Sequence, residues 1–519
     1  MKYISLKLGN SLILRSLKSL IMKHYLLVFA MALFAVSCSK KVEIKGKLTG
    51  GSPLERVEII ETSSVSTLPL LNIGVNAQGE FSGSFDAQNN GLYIITYGGA
   101  SNMVYLKKGQ TLEIEGVGLS FPTTYVIKGD AKANNDFLKE AQTGFESYAL
   151  QINMEELIKK DEAAFLKEFK SIEDSVYSIF EASAKKHKAD SDVLDFKKQE
   201  AKARLMGVLD GYAQMHGQAT QKANFKTGAE FKKVKDQMLS NSDEMIRNYP
   251  MFRDYQLNQL IGDFQKYRTS LPAKAPGEEL VSETFANYLG TRKDLSTTAK
   301  DYFFASVLIQ GDLNFMNSKN YDRITALIDK TVSDSKIKKD LNELQVVLMG
   351  HKEGKTPELK LMDKDGKAVA LANLKTKPSF VVFYASWNPG ISISTTPAIK
   401  AVTTTYGDKV NFVYVNLDDT KDQFLKTSSA LFKGFPGTNY WVEGGVNAKA
   451  AKDFGLYGFK IPSYVLLDKE GKLFARPFFS LQDPQFAETM EKLTGVKQPV
   501  VETVATPSPE IVGSEQAIK

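Results

Sequence analysis

Groups that could do covalent or metal chemistry are few in this chain. It has 519 residues but one cysteine, Cys38, and four histidines, at positions 24, 187, 216 and 351. A lone cysteine cannot form an intramolecular disulfide, a dithiol centre or a cysteine-based metal site. The histidines are too scattered for a His-Glu-x-x-His metal motif, and no Gly-x-Gly-x-x-Gly or P-loop run suggests nucleotide binding. The stretch that could still hold a reactive group is "FYASWNPGIS", Phe383–Ser392, which follows a strand-like run and opens a helical one. Ser392 and Ser394 lie near that helix start, where unpaired N–H groups can hold an anion. A catalytic serine needs a base within hydrogen-bond reach, and no motif places His351 there. Ser392 therefore reads as a helix cap or an exposed residue. No catalytic residue, metal ligand or cofactor is expected.

The elements that must position this turn are legible from about 353 to 497. "ELKLMDKDGKAVALANLK" reads as a strand, an Asp365-Gly366 hairpin turn and a second strand. "PSFVVFYAS" is a continuous apolar run, as a buried parallel strand should be. A helical segment to about Tyr406 follows, then the strand "KVNFVYVNLD". "YGFKIPSYVLLDKEGKLFARP" gives a further strand, a turn at Glu470-Gly471 and a last strand. "DPQFAETMEKLTG" closes with a helix begun by Asp483 and Pro484.

A βαβ unit followed by a β-hairpin and a helix is the thioredoxin plan. "LKLMDKDGKAVAL…PSFVVFYASW…IPSYVLLDKEGKL" is similar to the TlpA/ResA-like periplasmic thioredoxins over nearly all of this domain. Trp387 before the turn, Pro462 in an Ile-Pro-Ser context and the "LLDKEGK" hairpin carry the resemblance. It implies that the Ile461–Pro462 bond is cis and faces the turn. In that family the Trp is followed by Cys-x-x-Cys; here it is followed by Asn388, Pro389, Gly390 and Ile391. Pro397 falls six residues after Ile391, where the family has its proline five after the second cysteine. Thiol–disulfide exchange needs a low-pKa thiolate and a resolving thiol, and Asn388 and Ile391 stand in their places. The resemblance leaves a peptide-binding groove beside Trp387, Pro389, Ile391, Ile461 and Pro462, to which Tyr457 and Phe459 contribute. Such sheet-edge recognition needs no thiol.

The N-terminus accounts for Cys38. "MKHYLLVFAMALFAVSC", Met22–Cys38, has one lysine, an apolar run of twelve residues and small residues before the cysteine. That suits a signal peptide over 1–37, with Met22 as an alternative start, and falls short of the roughly 20 residues needed to span a bilayer. Ala35-Val36-Ser37-Cys38 resembles a bacterial lipobox, with Ala35 where leucine is preferred. It implies cleavage before Cys38 and acylation there, palmitate included, which would anchor the protein without a transmembrane helix. The formal charge of +6 includes Lys2, Lys7, Arg15, Lys18 and Lys23; without those five cations it is +1, which does not favour a nucleic-acid partner.

Residues 38–130 read as a β-sandwich: short strand-like runs such as "GLYIITYGG" and "TLEIEG" between Gly-containing turns. Their order resembles the uncharacterised β domain that precedes thioredoxin-like domains in many Bacteroidetes lipoproteins. Residues 131–345 read as helical. There Phe165, Phe169, Ile172, Val176 and Ile179 recur at spacings of 4, 3, 4 and 3, one stripe on a helix. Asp174-Ser175-Val176 on that helix resembles an O-glycosylation acceptor. Residues 498–519 read as a flexible tail. The expected fold class is multidomain α+β: β-sandwich, central helical region, then a thioredoxin-like α/β domain. The expected function is a redox-inactive envelope lipoprotein, placed at the outer membrane, that binds a protein or polypeptide client. A non-thiol enzyme or a small-ligand-binding lipoprotein is the alternative.

Overall fold

Val42, Ile44 and Leu48 point inward along β1 (Lys41–Thr49), while Lys41, Glu43, Lys45 and Lys47 point out, the period-two pattern of a half-buried strand. Seven more strands follow: β2 (Arg56–Glu61), β3 (Leu71–Gly74), β4 (Glu80–Asp86), β5 (Gly91–Tyr97), β6 (Ala100–Leu106), β7 (Thr111–Val117) and β8 (Val126–Lys128). They form two four-stranded sheets, ordered β4-β1-β7-β8 and β3-β2-β5-β6. Only β1 and β7 run parallel, with Glu43 opposite Thr111; the other pairs are antiparallel. Their inner faces share one core that includes Val42, Ile44, Val57, Ile59, Tyr93, Ile95, Val104 and Ile114. The computed structural model describes residues 41–497 apart from Pro53, 273–277, Lys375 and Ser394. Cys38, the expected signal peptide over 1–37 and the expected tail over 498–519 lie outside the described residues.

Helices run from Lys132 to Met349, the longest being Glu162–His187 and Ser191–Ala219. Asp161 caps the first of these by accepting the Ala164 N–H at 2.9 Å, satisfying a helix-end donor that has no intrahelical partner. Phe165, Phe169, Ile172 and Val176 are buried on its inner face, and Phe180 instead of Ile179 completes the stripe. The reason is angular: a period of 3.6 reaches 180 after four residues from 176, and Ile179 turns toward Gly144. Phe165 stacks on Tyr212 with ring centroids 3.8 Å apart. Val176 is buried and Asp174 holds Lys170 at 2.7 Å, so Asp174-Ser175-Val176 sits mid-helix with one of its three residues in the core.

The sandwich and the helices belong to one compact unit that ends at Met349. Asn135 ties them together. Its Oδ1 accepts the Tyr105 N–H at 2.8 Å, and its Nδ2 donates to the Tyr105 carbonyl at 2.9 Å. One side chain thus pairs the exposed edge of β6 as a neighbouring strand would, which covers an otherwise sticky edge. Across the sandwich, Arg253 donates to the Thr62 carbonyl at 2.6 Å and Tyr302 to the Ser63 carbonyl at 2.9 Å.

The second unit begins at Gly350. Its sheet has six strands: β9 (Lys360–Met362), β10 (Ala368–Ala370), β11 (Ser379–Tyr384), β12 (Asn411–Asn416), β13 (Thr438–Trp441) and β14 (Ser463–Leu467), in the order β10-β9-β13-β12-β11-β14. β11, β12 and β13 are parallel, whereas β14 runs antiparallel to β11. Every residue of β11 is buried, because one core lies on each face: Val381 and Phe383 in one, Phe380, Val382 and Tyr384 in the other. Two features depart from the sequence reading. Helix Lys421–Leu431 and strand β13 extend the βαβ unit. After Gly471 there is no strand among the described residues, only the isolated pairs Leu467–Leu473 and Tyr464–Phe478. Pro477 lacks an N–H and cannot donate to a ladder. The molecule is multidomain, with a β-sandwich, a helical region and a thioredoxin-like C-terminal domain.

Candidate functional site

The turn after β11 is held from below by an acid that the sequence reading passed over. Asp418, fully buried at the end of β12, accepts the Ser386 N–H at 2.7 Å and the Ser386 hydroxyl at 2.8 Å on one oxygen. Its other oxygen takes Asn416 Nδ2 at 2.9 Å and Thr427 Oγ1 at 3.0 Å. Four donors offset the cost of burying the carboxylate. Its signal in sequence is the "NLDD" run that ends the strand. Burial, with Asp418 nearby, pushes the Tyr384 hydroxyl well above the usual tyrosine range.

The four residues at the thiol positions divide in role. Asn388 donates from Nδ2 to the Ile461 carbonyl at 2.7 Å and accepts the Gly390 N–H on Oδ1 at 2.8 Å. The Ile461–Pro462 bond is cis. Gly390 packs so closely that an added Cβ would stand 2.5 Å from Pro462 Cδ, so only glycine fits. Pro389 is exposed. Ile391 is 2% exposed and belongs to the core under the sheet; it does not line an open groove. Ile461 is likewise buried, in the other core, where Trp387 packs against it partly exposed. The Ile461 N–H donates to the Gly458 carbonyl at 3.3 Å, so both backbone groups of Ile461 have partners within the domain.

The helix does not open at the turn. It spans Thr396–Tyr406 with Pro397 in its first turn, a position proline favours. Ser392 is tied to Thr395: its N–H donates to Thr395 Oγ1 at 2.7 Å and its carbonyl accepts the Thr395 N–H at 3.0 Å. Ser394 lies outside the described residues. The helix N-terminus that would lower a nucleophile's pKa therefore begins five residues beyond Ile391. His351 packs on the Phe454 ring, centroids 5.0 Å apart. Burial and then Lys355 push its pKa down to about 4, so the imidazole is neutral at pH 7.

Large apolar side chains are exposed on the turn and on the segments that flank Pro462 in the chain. Phe459 is 58% exposed, and on the turn itself Ile393 is 76% exposed. Lys460 lies over the rings of both Phe459 and Phe479, at 5.9 and 4.6 Å from their centroids, and burial lowers its pKa. Tyr457 is buried behind Phe459, the rings 5.9 Å apart. Among the described residues no group of three His, Cys, Asp or Glu could hold a metal ion, and no helix is long and apolar enough to cross a membrane.

Residues 351–477 match the Redoxin family. Among solved structures, the C-terminal domain of a protein described as a thiol-disulfide oxidoreductase from Bacteroides thetaiotaomicron is 24% identical, with 28% of this chain and 96% of that chain covered and a TM-score of 0.24. One so described from Bacteroides vulgatus is 27% identical, covering 26% of this chain and 86% of that chain, TM-score 0.23. A thiol-disulfide oxidoreductase from Bacteroides fragilis is 15% identical, covering 26% and 99%, TM-score 0.23. No curated protein matches the chain. The matched residues 351–477 contain no cysteine.

Proposed function

We propose that the Redoxin domain is a redox-inert member of the TlpA/ResA-like group that serves as a polypeptide-binding or assembly module, carried by an envelope lipoprotein anchored through Cys38. The observation that carries this reading is the filling of the thiol positions. Asn388 bonds to Ile461 and Ile391 is packed into the core, so the turn is built as structure, while Pro389, Ile393, Phe459 and Phe479 remain exposed around it. Exposed apolar residues grouped on a rim mark sites of association. Because both backbone groups of Ile461 are already paired, recognition rests on this apolar rim and on Lys460 more than on strand addition at Ile461.

The test joins three measurements on the lipidated chain. Insulin reduction should stay at the uncatalysed rate; acceleration would overturn redox inertness. Cys38→Ala should move the protein from the membrane to the soluble fraction, and unchanged fractionation would refute the anchor. A partner recovered in near-stoichiometric amount from solubilised envelope should be lost from the Phe459→Ser/Phe479→Ser variant. Its retention would refute the rim as the binding surface.

A further inference from the structure

A cavity of about 280 Å³ lies between the sandwich and the helices of the first unit. One wall is the β6 edge with Met103, and another is Tyr125 with Ile127 of β8. The Asn135 clamp on Tyr105 holds helix Lys132–Ala149 against that edge, and this helix contributes Leu138 and Lys139. Residues 135, 138, 139 and 142 share one helical face. Met103 is about half exposed and lines the cavity.

Lys197 at the cavity wall is 5% exposed. Its ammonium donates to Gln142 Oε1 at 2.7 Å and Glu200 Oε2 at 2.8 Å. An ammonium has three N–H donors; two have these acceptors, and the Lys197 ammonium also lies 5.8 Å from the centre of the Phe180 ring. Glu200 is shared with Arg204 at 3.3 Å, so one carboxylate faces two cations. Lys139, one helical turn from Gln142, has no carboxylate partner among the described residues and lies 5.8 Å from the Tyr125 ring. Lys132 is paired with Asp136. The cavity thus combines apolar walls with an excess of positive charge, a few placed polar groups in a mostly apolar cleft being the usual form of a small-molecule site. Burial lowers the Lys197 pKa despite the pull of Glu200 and, more weakly, of Glu146.

We infer that this cavity binds a small amphipathic monocarboxylate, its apolar body against Met103, Tyr125, Ile127 and Leu138 and its carboxylate on Lys197 and Lys139. This site is separate from the rim of the Redoxin domain and stands whether or not that rim binds polypeptide.

Calorimetric titration of the full chain with phenylacetate and with octanoate tests it. At least one should give a saturable one-to-one isotherm, and its neutral analogue, phenylacetamide or octanamide, should bind about tenfold more weakly. Lys139→Gln should weaken the carboxylate about tenfold, and Met103→Trp, which adds bulk at an exposed lining position, should abolish binding. Lys197→Met strands Glu200 and can fail to fold, so the two exposed variants carry the test. No saturable heat with either carboxylate up to about 1 mM would overturn the inference. So would equal binding of the amides, or unchanged binding in both variants.

Discussion

Asn388 shows how a turn built for thiols elsewhere is stabilised without them. Its side chain reaches from the turn after β11 to the residue before Pro462, donating to one backbone group and accepting from another. Removing it leaves the Ile461 carbonyl and the Gly390 N–H without those partners, and each unmet buried group costs about 1–3 kcal/mol. Gly390 is exposed and can turn to water, so Asn388→Ala should lose roughly 1–2 kcal/mol. Asn388→Asp should lose more, because at neutral pH a carboxylate oxygen would face the Ile461 carbonyl. Both tryptophans, Trp387 and Trp441, lie in the second unit. The urea midpoint followed by tryptophan fluorescence therefore reads the effect directly; an unchanged midpoint in both variants would show that the bond to Ile461 adds nothing. The sequence reading placed Asn388 and Ile391 at the thiol positions but could not show that Ile391 faces the core. That depends on the four residues between Ile391 and Thr396, whose sequence follows no helical or strand period.

At the scale of elements, what repeats was legible and what is reached across the fold was not. β11 announced itself as the apolar run "PSFVVFYAS", and helix Glu162–His187 as the stripe through Phe165, Phe169, Ile172 and Val176. β13, four residues with two polar ones ahead of Tyr440 and Trp441, carries too short a pattern to stand out from a loop. The Asn135 clamp has no local signature, because its partner Tyr105 lies 30 residues away. It also makes the clearest test at this scale. Asn135→Ala should expose the Tyr105 N–H and carbonyl at the β6 edge and cost about 2–4 kcal/mol, from two unpaired buried groups. Hydrogen exchange of the Tyr105 amide should accelerate more than that of strands β1 and β7, whose pairing is untouched. Uniform acceleration across the sandwich would mean that the helix does not protect this edge locally.

The whole molecule has two units with separate cores, and the first joins two kinds of structure through buried charge. Lys336, from the last helix of that unit, lies 3.3 Å from Glu61 of β2 and 3.3 Å from Asp340. Ser63 and Asn89 also donate to Glu61, and Ser64 to Asp340. Burial works against the charge on Glu61, yet the Ser63 hydroxyl, Lys336 and Asn89 together hold its carboxyl below the usual range. Truncating one member of such a cluster leaves uncompensated buried charge, which costs about 3–5 kcal/mol; with Lys336 partly exposed, the lower end applies. Because this network, Arg253 and Tyr302 all bind the sandwich to the helices, both should melt together. Calorimetry of the full chain should therefore resolve two transitions, only one of them accompanied by a change in tryptophan fluorescence. Lys336→Met should lower the fluorescence-silent transition and leave the other in place. If the variant instead split that transition in two, the sandwich and the helices would be independently stable, and the buried charges would serve only to align them.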